Sequence, residues 1–202
     1  MRARILRTTD YRRMRWKNGG GWTTELASFP ASADDAGGTF DWRVSIAEIE
    51  SDGAFSTFPG CDRLIALLEG VGMELSFDQA PSAALRERLH FANFAGEWQT
   101  HGRLLAGPVR DFNIIARRDA VQVEMLRRPL VGPMVFLPDA AATWFVYLAS
   151  GNAEVKIGDD RHALDAGESL LLEPGAATQR VVLNGGGELL LAKFTPQSTP
   201  AQ

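Results

Sequence analysis

The sequence predicts an all-β protein, and two observations support that prediction. Short apolar runs alternate with clusters of Gly, Pro, Asn and Asp along the 202 residues, which is typical of strands separated by turns. Long stretches with helical periodicity are almost absent. The composition is that of an ordinary globular chain, with 45% hydrophobic and 23% charged residues, so the length fits one large domain or two small ones.

Strands are expected where side chains alternate in polarity or where an apolar run lies between turn residues. Trp42-Arg43-Val44-Ser45-Ile46 alternates in this way. A turn at Glu69-Gly70 separates two more runs, and one or two helical turns are expected between Pro81 and Leu89. The other predicted strands cover residues 63–69, 71–77, 110–116, 121–126, 143–148, 153–157, 169–172 and 189–194.

Two parts of the chain resemble each other. LLEGVGMELSF at 67–77 matches YLASGNAEVKI at 147–157 in its apolar pair, its turn and its Glu-containing strand, and FAGE at 94–97 echoes DAGE at 165–168. The preserved order predicts a duplicated β-barrel, hence two like units. Arg127-Arg128-Pro129 marks the expected boundary, which divides the chain into an N-terminal unit at 1–128 and a C-terminal unit at 129–202.

The second unit carries the more specific pattern. The segment LDAGESLLLEPGAATQRVV at 164–182 has a Gly, an apolar strand and then Pro174-Gly175, which resembles the later signature of a cupin, a small double-sheet jelly roll. Metal-binding cupins place a His shortly after the Pro-Gly, where this chain has Thr178 and Gln179. The three histidines are far apart in sequence, so we expect surface positions for them and neither a metal site nor a cofactor.

Charge and cysteine content exclude several classes of partner. The formal net charge is −4, which argues against nucleic acid, because duplex binding needs a basic face. No apolar run approaches the roughly 20 residues of a membrane helix, and the Arg-rich N-terminus lacks the apolar core of a secretory signal. The single cysteine, Cys61, excludes an intrachain disulfide and fits a reducing compartment. We therefore expect a cytoplasmic protein without nucleic-acid or membrane partners.

The stretch RMRWKNGGGWTTE at 13–25 is the most unusual local feature. Consecutive glycines allow the backbone N–H groups of Gly19 and Gly20 to form a concave anion site, and Lys17 and Asn18 would add a charge and further hydrogen bonds. A flexible turn between two strands explains the glycines equally well. The flanking Trp16 and Trp22 favour a built pocket, although core packing also accounts for either one.

Polar residues share one face on each of three predicted strands, a pattern that is often solvent exposure alone. We expect these residues instead to face the interior of one barrel, where guanidinium groups bind a carboxylate in bidentate fashion. The implied ligand is a small acidic metabolite. The residues are Arg43 and Ser45, then Arg63, and then Asp111 and Asn113.

Three sequence blocks are long and specific. They read MRWKNGGGWTTE at 14–25, FDWRVSIAEIESDGAFSTFPGCDRLIALLEGVGMELSF at 40–77 and RLLAGPVRDFNIIARR at 103–118. In these blocks the chain resembles the HutD/Ves family. The resemblance implies a bicupin, with two jelly-roll units in one chain, and places these residues in the family's shared blocks: Trp16, Lys17, Asn18, Thr24, Glu25, Arg43, Ser45, Arg63, Asp111 and Asn113.

Members of that family are linked to bacterial histidine utilisation and are thought to bind a pathway intermediate such as N-formylglutamate or urocanate. The resemblance therefore implies a regulatory, non-catalytic protein with its ligand in the N-terminal barrel. The alternative is a metal-free isomerase or hydrolase acting on a small carboxylic acid, with Glu25 or Asp111 as acid or base. A metal-dependent oxygenase and a protein-binding scaffold are further alternatives. Cupins often pair through sheet edges, which makes a homodimer an additional expectation.

Overall fold

The computed structural model describes residues 1–16, 19–30 and 40–197, and β-strands dominate all three ranges. The one helical element in these ranges is a 3-10 turn at Thr8–Asp10, so no described helix is long and apolar enough to cross a membrane. The strands are β1 Arg2–Leu6, β2 Arg12–Arg15, β3 Gly21–Phe29, β4 Trp42–Ile49, β5 Gly53–Ala54, β6 Cys61–Glu69, β7 Met73–Phe77, β8 Ala83–Leu85, β9 Phe91–Ala95, β10 Thr100–Leu104, β11 Val109–Arg117, β12 Val121–Phe136, β13 Thr143–Ile157, β14 Asp160–Asp165, β15 Ser169–Glu173 and β16 Val181–Pro196.

The all-β prediction is confirmed, and each predicted strand overlaps an observed one. The helical turns expected between Pro81 and Leu89 are wrong. That segment contains β8, which pairs with β7 through Leu75 and Ala83, so hydrogen bonding to a neighbouring strand overrides the weak local helical signal. The predicted strands at 143–148 and 153–157 are two halves of the single strand β13.

Two compact units make up the chain, and their division is not a simple cut. Tyr11–Val121 forms one unit, whereas Met1–Asp10 groups with Gln122–Gln202 in the other. The sequence-based boundary between residues 128 and 129 falls inside β12. The same boundary placed the first ten residues in the N-terminal unit. In the structure, β1 pairs along its whole length with β15 of the C-terminal unit, from Arg2 opposite Glu173 to Leu6 opposite Ser169.

In the N-terminal unit, a six-stranded sheet runs in the order β2-β3-β4-β11-β6-β9 and a four-stranded sheet in the order β5-β10-β7-β8. Ile65 and Leu67 from the first sheet and Met73, Leu75 and Leu85 from the second belong to one apolar cluster. The two sheets therefore enclose a common core. The central strands β4, β6 and β11 are buried on both faces, which explains why most of their residues are apolar although polar side chains interrupt each strand.

The predicted turn at Glu69-Gly70 carries the chain between these two sheets, because β6 belongs to one and β7 to the other. Gly70 has a φ of 100°, a backbone conformation that residues other than glycine rarely adopt. A Cβ atom there would lie 2.7 Å from the backbone oxygen of Pro108. Backbone geometry and close approach together require glycine at this crossing.

The C-terminal unit contains a six-stranded antiparallel sheet with the path β1-β15-β13-β16-β12, and β14 also pairs with β13. A register shift between Leu148 and Ser150 interrupts the pairing of β13 with β16. Such a bulge adds one residue and reverses the side-chain alternation. Val146 and Leu148 before it, and Ala153 and Val155 after it, consequently contribute to one apolar core.

Candidate functional site

A row of polar side chains crosses the inner face of the six-stranded sheet. Ser45 on β4 lies opposite Glu25 on β3 and opposite Asn113 on β11. Residues paired across neighbouring strands point to the same face. The same face carries Ile65, which is paired with Asn113 and belongs to the core shared by the two sheets. Glu25, Ser45 and Asn113 therefore face the interior.

Two arginines lie one pleat further along the same face. Arg43 on β4 and Arg63 on β6 both pair with Ile115 on β11 and flank it on either side. Since Ile115 follows Asn113 by two positions, the arginines point inward beside the polar row. The structure thus places Arg43, Ser45, Arg63 and Asn113 together, as the alternation of the sequence predicts.

Arg63 is almost completely buried, with 4% of its surface exposed. Its guanidinium group donates to the backbone oxygen of Ser56 at 3.2 Å and to Asn113 Oδ1 at 3.3 Å. Its Cζ atom lies 5.2, 5.5 and 5.3 Å from the ring centroids of Phe55, Phe58 and Phe94. Burial lowers the pKa of Arg63 to about 10, while Asp111 acts in the opposite direction.

Arg43 is half-buried and also lies beside aromatic rings. Its Cζ atom lies 4.9 Å from the ring centroid of Phe40 and 5.6 Å from that of Phe58, so both arginines contact Phe58. Burial lowers the pKa of Arg43, and the nearby charge of Glu25 partly restores it. Within the described ranges Arg43 has no hydrogen-bond or ion-pair partner, and its buried Nε is unsatisfied.

Asp111 is the most deeply buried charged residue of the group, with none of its surface exposed. It pairs with Ala47 and Leu67 on the neighbouring strands, both of which are apolar core residues. Neither carboxylate oxygen has a hydrogen-bond partner in the described structure, and the same is true of Ser45 Oγ. Burial raises the pKa of Asp111 to about 7, and the positive charge of Arg63 opposes this shift.

Glu25 is the second acidic residue of the group. It is half-buried, accepts a hydrogen bond from Ser28 Oγ at 3.1 Å, and belongs to β3 next to a register shift between Glu25 and Ala27. The bulge places Ser28 opposite Arg43, whereas Glu25 is opposite Ser45. Glu25 therefore supplies negative charge near Arg43 without forming an ion pair with it.

The glycine segment lies at the other end of the sheet. Gly21 pairs with Ile49, and Glu50 N donates to Gly20 O at 3.0 Å. Ile49 follows Arg43 by six positions on β4, a distance of about 20 Å at roughly 3.3 Å per residue. The N–H of Gly19 also donates to Trp16 O at 3.0 Å. Gly19 and Gly20 are not brought together with the arginines.

The remaining predicted site residues have other roles or other locations. Trp16 packs against the core and donates from Nε1 to Thr23 Oγ1 at 2.7 Å. Thr24 pairs with Ile46, so it lies on the opposite face of the sheet from Glu25 and Ser45. Lys17 and Asn18 lie outside the described residues.

Sequence reasoning missed the aromatic wall. Phe40, Phe55, Phe58 and Phe94 surround the two guanidinium groups. The spacing of Phe55 and Phe58 in the turn-rich stretch GAFSTFPG was the available signal, because large aromatic residues in a Gly/Pro connection need a surface to cover. Arginine stacked on aromatic faces is stabilised by cation–π attraction even where water is excluded.

No three His, Cys, Asp or Glu side chains within the described ranges are close enough to hold a metal ion. His90, His101 and His162 are all exposed, as expected from the sequence. The site itself brings together two partly desolvated cations, one buried carboxylate with raised pKa, and neutral oxygens from Ser45 and Asn113. Such a group suits recognition of a small anion.

Comparison with known proteins finds close relatives. The HutD family model matches residues 8–191. An uncharacterized 21.2 kDa protein in the hutC 3' region of Pseudomonas putida is 42% identical over 153 residues, which is 76% of this chain and 77% of that protein. Protein Ves of Citrobacter koseri is 34% identical over 188 residues, covering 92% and 91% of the two chains. The structure of HutD from Pseudomonas fluorescens SBW25 superposes with a TM-score of 0.80 at 31% identity, covering 98% of this chain and all of that one.

Proposed function

Because the chain belongs to the HutD family, we propose that it is a small-molecule-binding, non-catalytic regulatory protein of histidine catabolism. Its ligand would be an acidic intermediate such as N-formylglutamate or a urocanate-like acid, bound inside the N-terminal unit. Support for the pathway comes from the Pseudomonas putida relative, which is described by its place in the hutC 3' region. Support for the site comes from the polar group around Arg43 and Arg63.

The observation that carries the proposal is the state of the two arginines. Both point to the inner face of the sheet and both have lowered pKa values because of burial. Within the described ranges neither forms an ion pair. A buried cation without a paired anion is unfavourable, and the repulsion between Arg43 and Arg63 adds to this cost. A ligand carboxylate would remove the cost and accept charge-assisted hydrogen bonds from both.

Binding can be tested by calorimetry and thermal shift with N-formylglutamate and urocanate. Arg43→Gln and Arg63→Gln remove one cation each and keep a polar side chain of similar length. We expect wild-type protein to bind one of these acids, and each variant to lose about tenfold or more in affinity, since a hydrogen bond to a charged group contributes roughly 1.5–3 kcal/mol.

Arg103→Gln is the matched control, because Arg103 is exposed on β10 of the same unit and is paired with Glu74. Its affinity should equal that of the wild type. If folded wild-type protein binds neither acid, the proposal fails. It also fails if both inner arginine variants bind as tightly as the control.

We also propose that the two units are a duplicated pair of cupin jelly rolls. Each unit is antiparallel and built around its own apolar core. The like turns FAGE at 94–97 and DAGE at 165–168 each precede a strand, β10 and β15 respectively. An internal duplication would account for that repeated order.

A second function is favoured by Asp111 and is kept as the alternative, a metal-free enzyme acting on a small carboxylic acid. A carboxyl group with its pKa raised to about 7 is present in both its neutral and its charged form near neutral pH, which is the property of a general acid or base. Incubation with the same acids followed by mass spectrometry decides between the two functions. A new product that forms with wild type and is absent with Asp111→Asn would favour the enzyme.

A further inference from the structure

The C-terminal unit contains a cleft that shares no residue with the polar group around Arg43 and Arg63. Its volume is about 180 Å³, and the whole lining belongs to the unit that contains Gln122–Gln202. This volume exceeds the roughly 10–15 Å³ that one water molecule needs and is smaller than the roughly 300–1,000 Å³ of sites for drug-sized ligands. The cleft therefore suits a compact chemical group. Its lining residues are Lys156, Gly158, Gln179, Arg180 and Val182.

Strand pairing explains why a lysine lines this cleft. Lys156 on β13 lies opposite Val182 on β16, and the preceding pair consists of Val155 and Leu183. Val155 and Leu183 belong to the apolar core of the unit, and successive side chains of a strand point to opposite faces. Lys156 and Val182 therefore point away from that core, to the outer face of the sheet.

Positive charge exceeds negative charge around the cleft. Arg161 on β14 lies opposite Lys156 and shares its face, but Arg161 is paired with Glu154 at 2.7 Å. Within the described ranges, the side chains of Lys156 and Arg180 form neither an ion pair nor a hydrogen bond. Asp159, in the adjacent turn, is exposed and pairs with neither of them. Two cations therefore remain available at one cleft of a chain whose formal net charge is −4.

From these observations we propose that the cleft binds a phosphate group, as free phosphate or as the phosphate end of a small metabolite. Lysine supplies a point charge and arginine a planar fork of donors, and both suit phosphate oxygens. A phosphate monoester carries a charge of about −1.5 to −2 near pH 7, which two unpaired cations match better than the single charge of a carboxylate would. The amide of Gln179 donates a further hydrogen bond. This site does not depend on the proposed function, because it belongs to the other unit.

Binding is measured by an NMR titration of the backbone amides of the full chain with inorganic phosphate. The ionic strength is held constant, because salt screens exposed charges. We expect saturable shifts confined to amides that border the cleft, such as Gly158 and Val182. Acetate, a single charge, should bind about fivefold or more weakly. Ethyl phosphate identifies the source of the group: binding equal to that of inorganic phosphate supports a metabolite, and binding of inorganic phosphate alone supports the free anion.

Lys156→Gln and Arg180→Gln each remove one cation, and each should weaken phosphate binding about fivefold or more by loss of a charged hydrogen bond. Arg128→Gln is the matched control, because Arg128 is exposed on β12 of the same unit, and it should bind as wild type does. Wild type without saturable shifts overturns the proposal, and so does acetate binding as tight as that of phosphate. Unchanged phosphate binding in both cleft variants also overturns it. None of these results bears on the binding of N-formylglutamate or urocanate in the N-terminal unit.

Discussion

Asp111 and Arg63 carry opposite charges on one sheet face, yet no hydrogen bond joins them. For both groups the largest influence on the pKa is burial, which disfavours the charged form, and their mutual attraction offsets only part of it. A carboxylate in a direct ion pair would show the opposite shift. Burial of these two charged groups in the polar interior therefore lowers the stability of the folded protein.

This balance predicts that the difference in stability between wild type and the Asp111→Asn variant depends on pH. The pKa of Asp111 is raised from 3.8 to about 7 in the folded protein. Between these values the unfolded chain releases the proton and the folded protein retains it, so the contribution of Asp111 to stability falls as the pH rises toward 7. The neutral amide has no such term. The melting temperature of the variant should therefore rise relative to that of wild type between pH 5 and pH 8.

Asp159→Asn serves as the control for this experiment, because Asp159 is exposed in a turn between β13 and β14. Its melting temperature should follow that of wild type at both pH values. A difference between Asp111→Asn and wild type that stays constant across this pH range would contradict the raised pKa.

At the scale of single elements, side-chain alternation could be predicted from the sequence and strand register could not. The alternation in β4, β6 and β11 placed Arg43, Ser45, Arg63, Asp111 and Asn113 on inward faces. It did not indicate that Gly19 and Gly20 lie at the opposite end of β4, because that depends on the pairing of Gly21 with Ile49. Turn chemistry alone was compatible with an anion site and with a hairpin turn, and in the structure the N–H of Gly19 donates to Trp16 O.

The third glycine has a steric role that can be tested. A Cβ atom on Gly21 would collide with the backbone oxygen of Glu48 and lie 3.2 Å from the ring of Trp16. Backbone on the adjacent strand does not move easily, so Gly21→Ala should destabilise the protein by about 1–3 kcal/mol. For a chain of this size each kcal/mol lowers the melting temperature by roughly 2–4 °C. Thermal unfolding followed by circular dichroism measures the shift.

Gly53→Ala is the matched control in the same unit. Gly53 lies on the short strand β5, and nothing lies within 4 Å of the position that its Cβ atom would take. Its melting temperature should stay close to that of wild type. Equal melting temperatures for both alanine variants would show that β3 and β4 separate without cost at this point.

At the scale of the whole molecule, the chain does not divide into two consecutive halves. The first strand belongs to the C-terminal unit, where it pairs with β15. Residues 2–6 contain alternating arginines and apolar side chains, a pattern that fits a strand with one buried face. Nothing local identifies a partner more than 160 residues away in sequence. Such long-range pairing follows from the complete fold, so sequence reasoning assigned this strand to the wrong unit.

That pairing makes β1 a structural requirement for the C-terminal unit. Ala3 and Ile5 pack against its apolar core, whereas Arg2 and Arg4 are exposed. Ile5→Asp places a charge against that core and should cost about 2 kcal/mol or more. Arg4→Asp, one position away on the outer side of the same strand, should change stability by about 0.5 kcal/mol or less.

Urea unfolding of the full chain, combined with hydrogen exchange at Leu170 and Leu172, measures both effects. We expect faster exchange at these two amides in the Ile5 variant than in the Arg4 variant. Identical exchange in the two would mean that β15 keeps its structure without the inner side of β1.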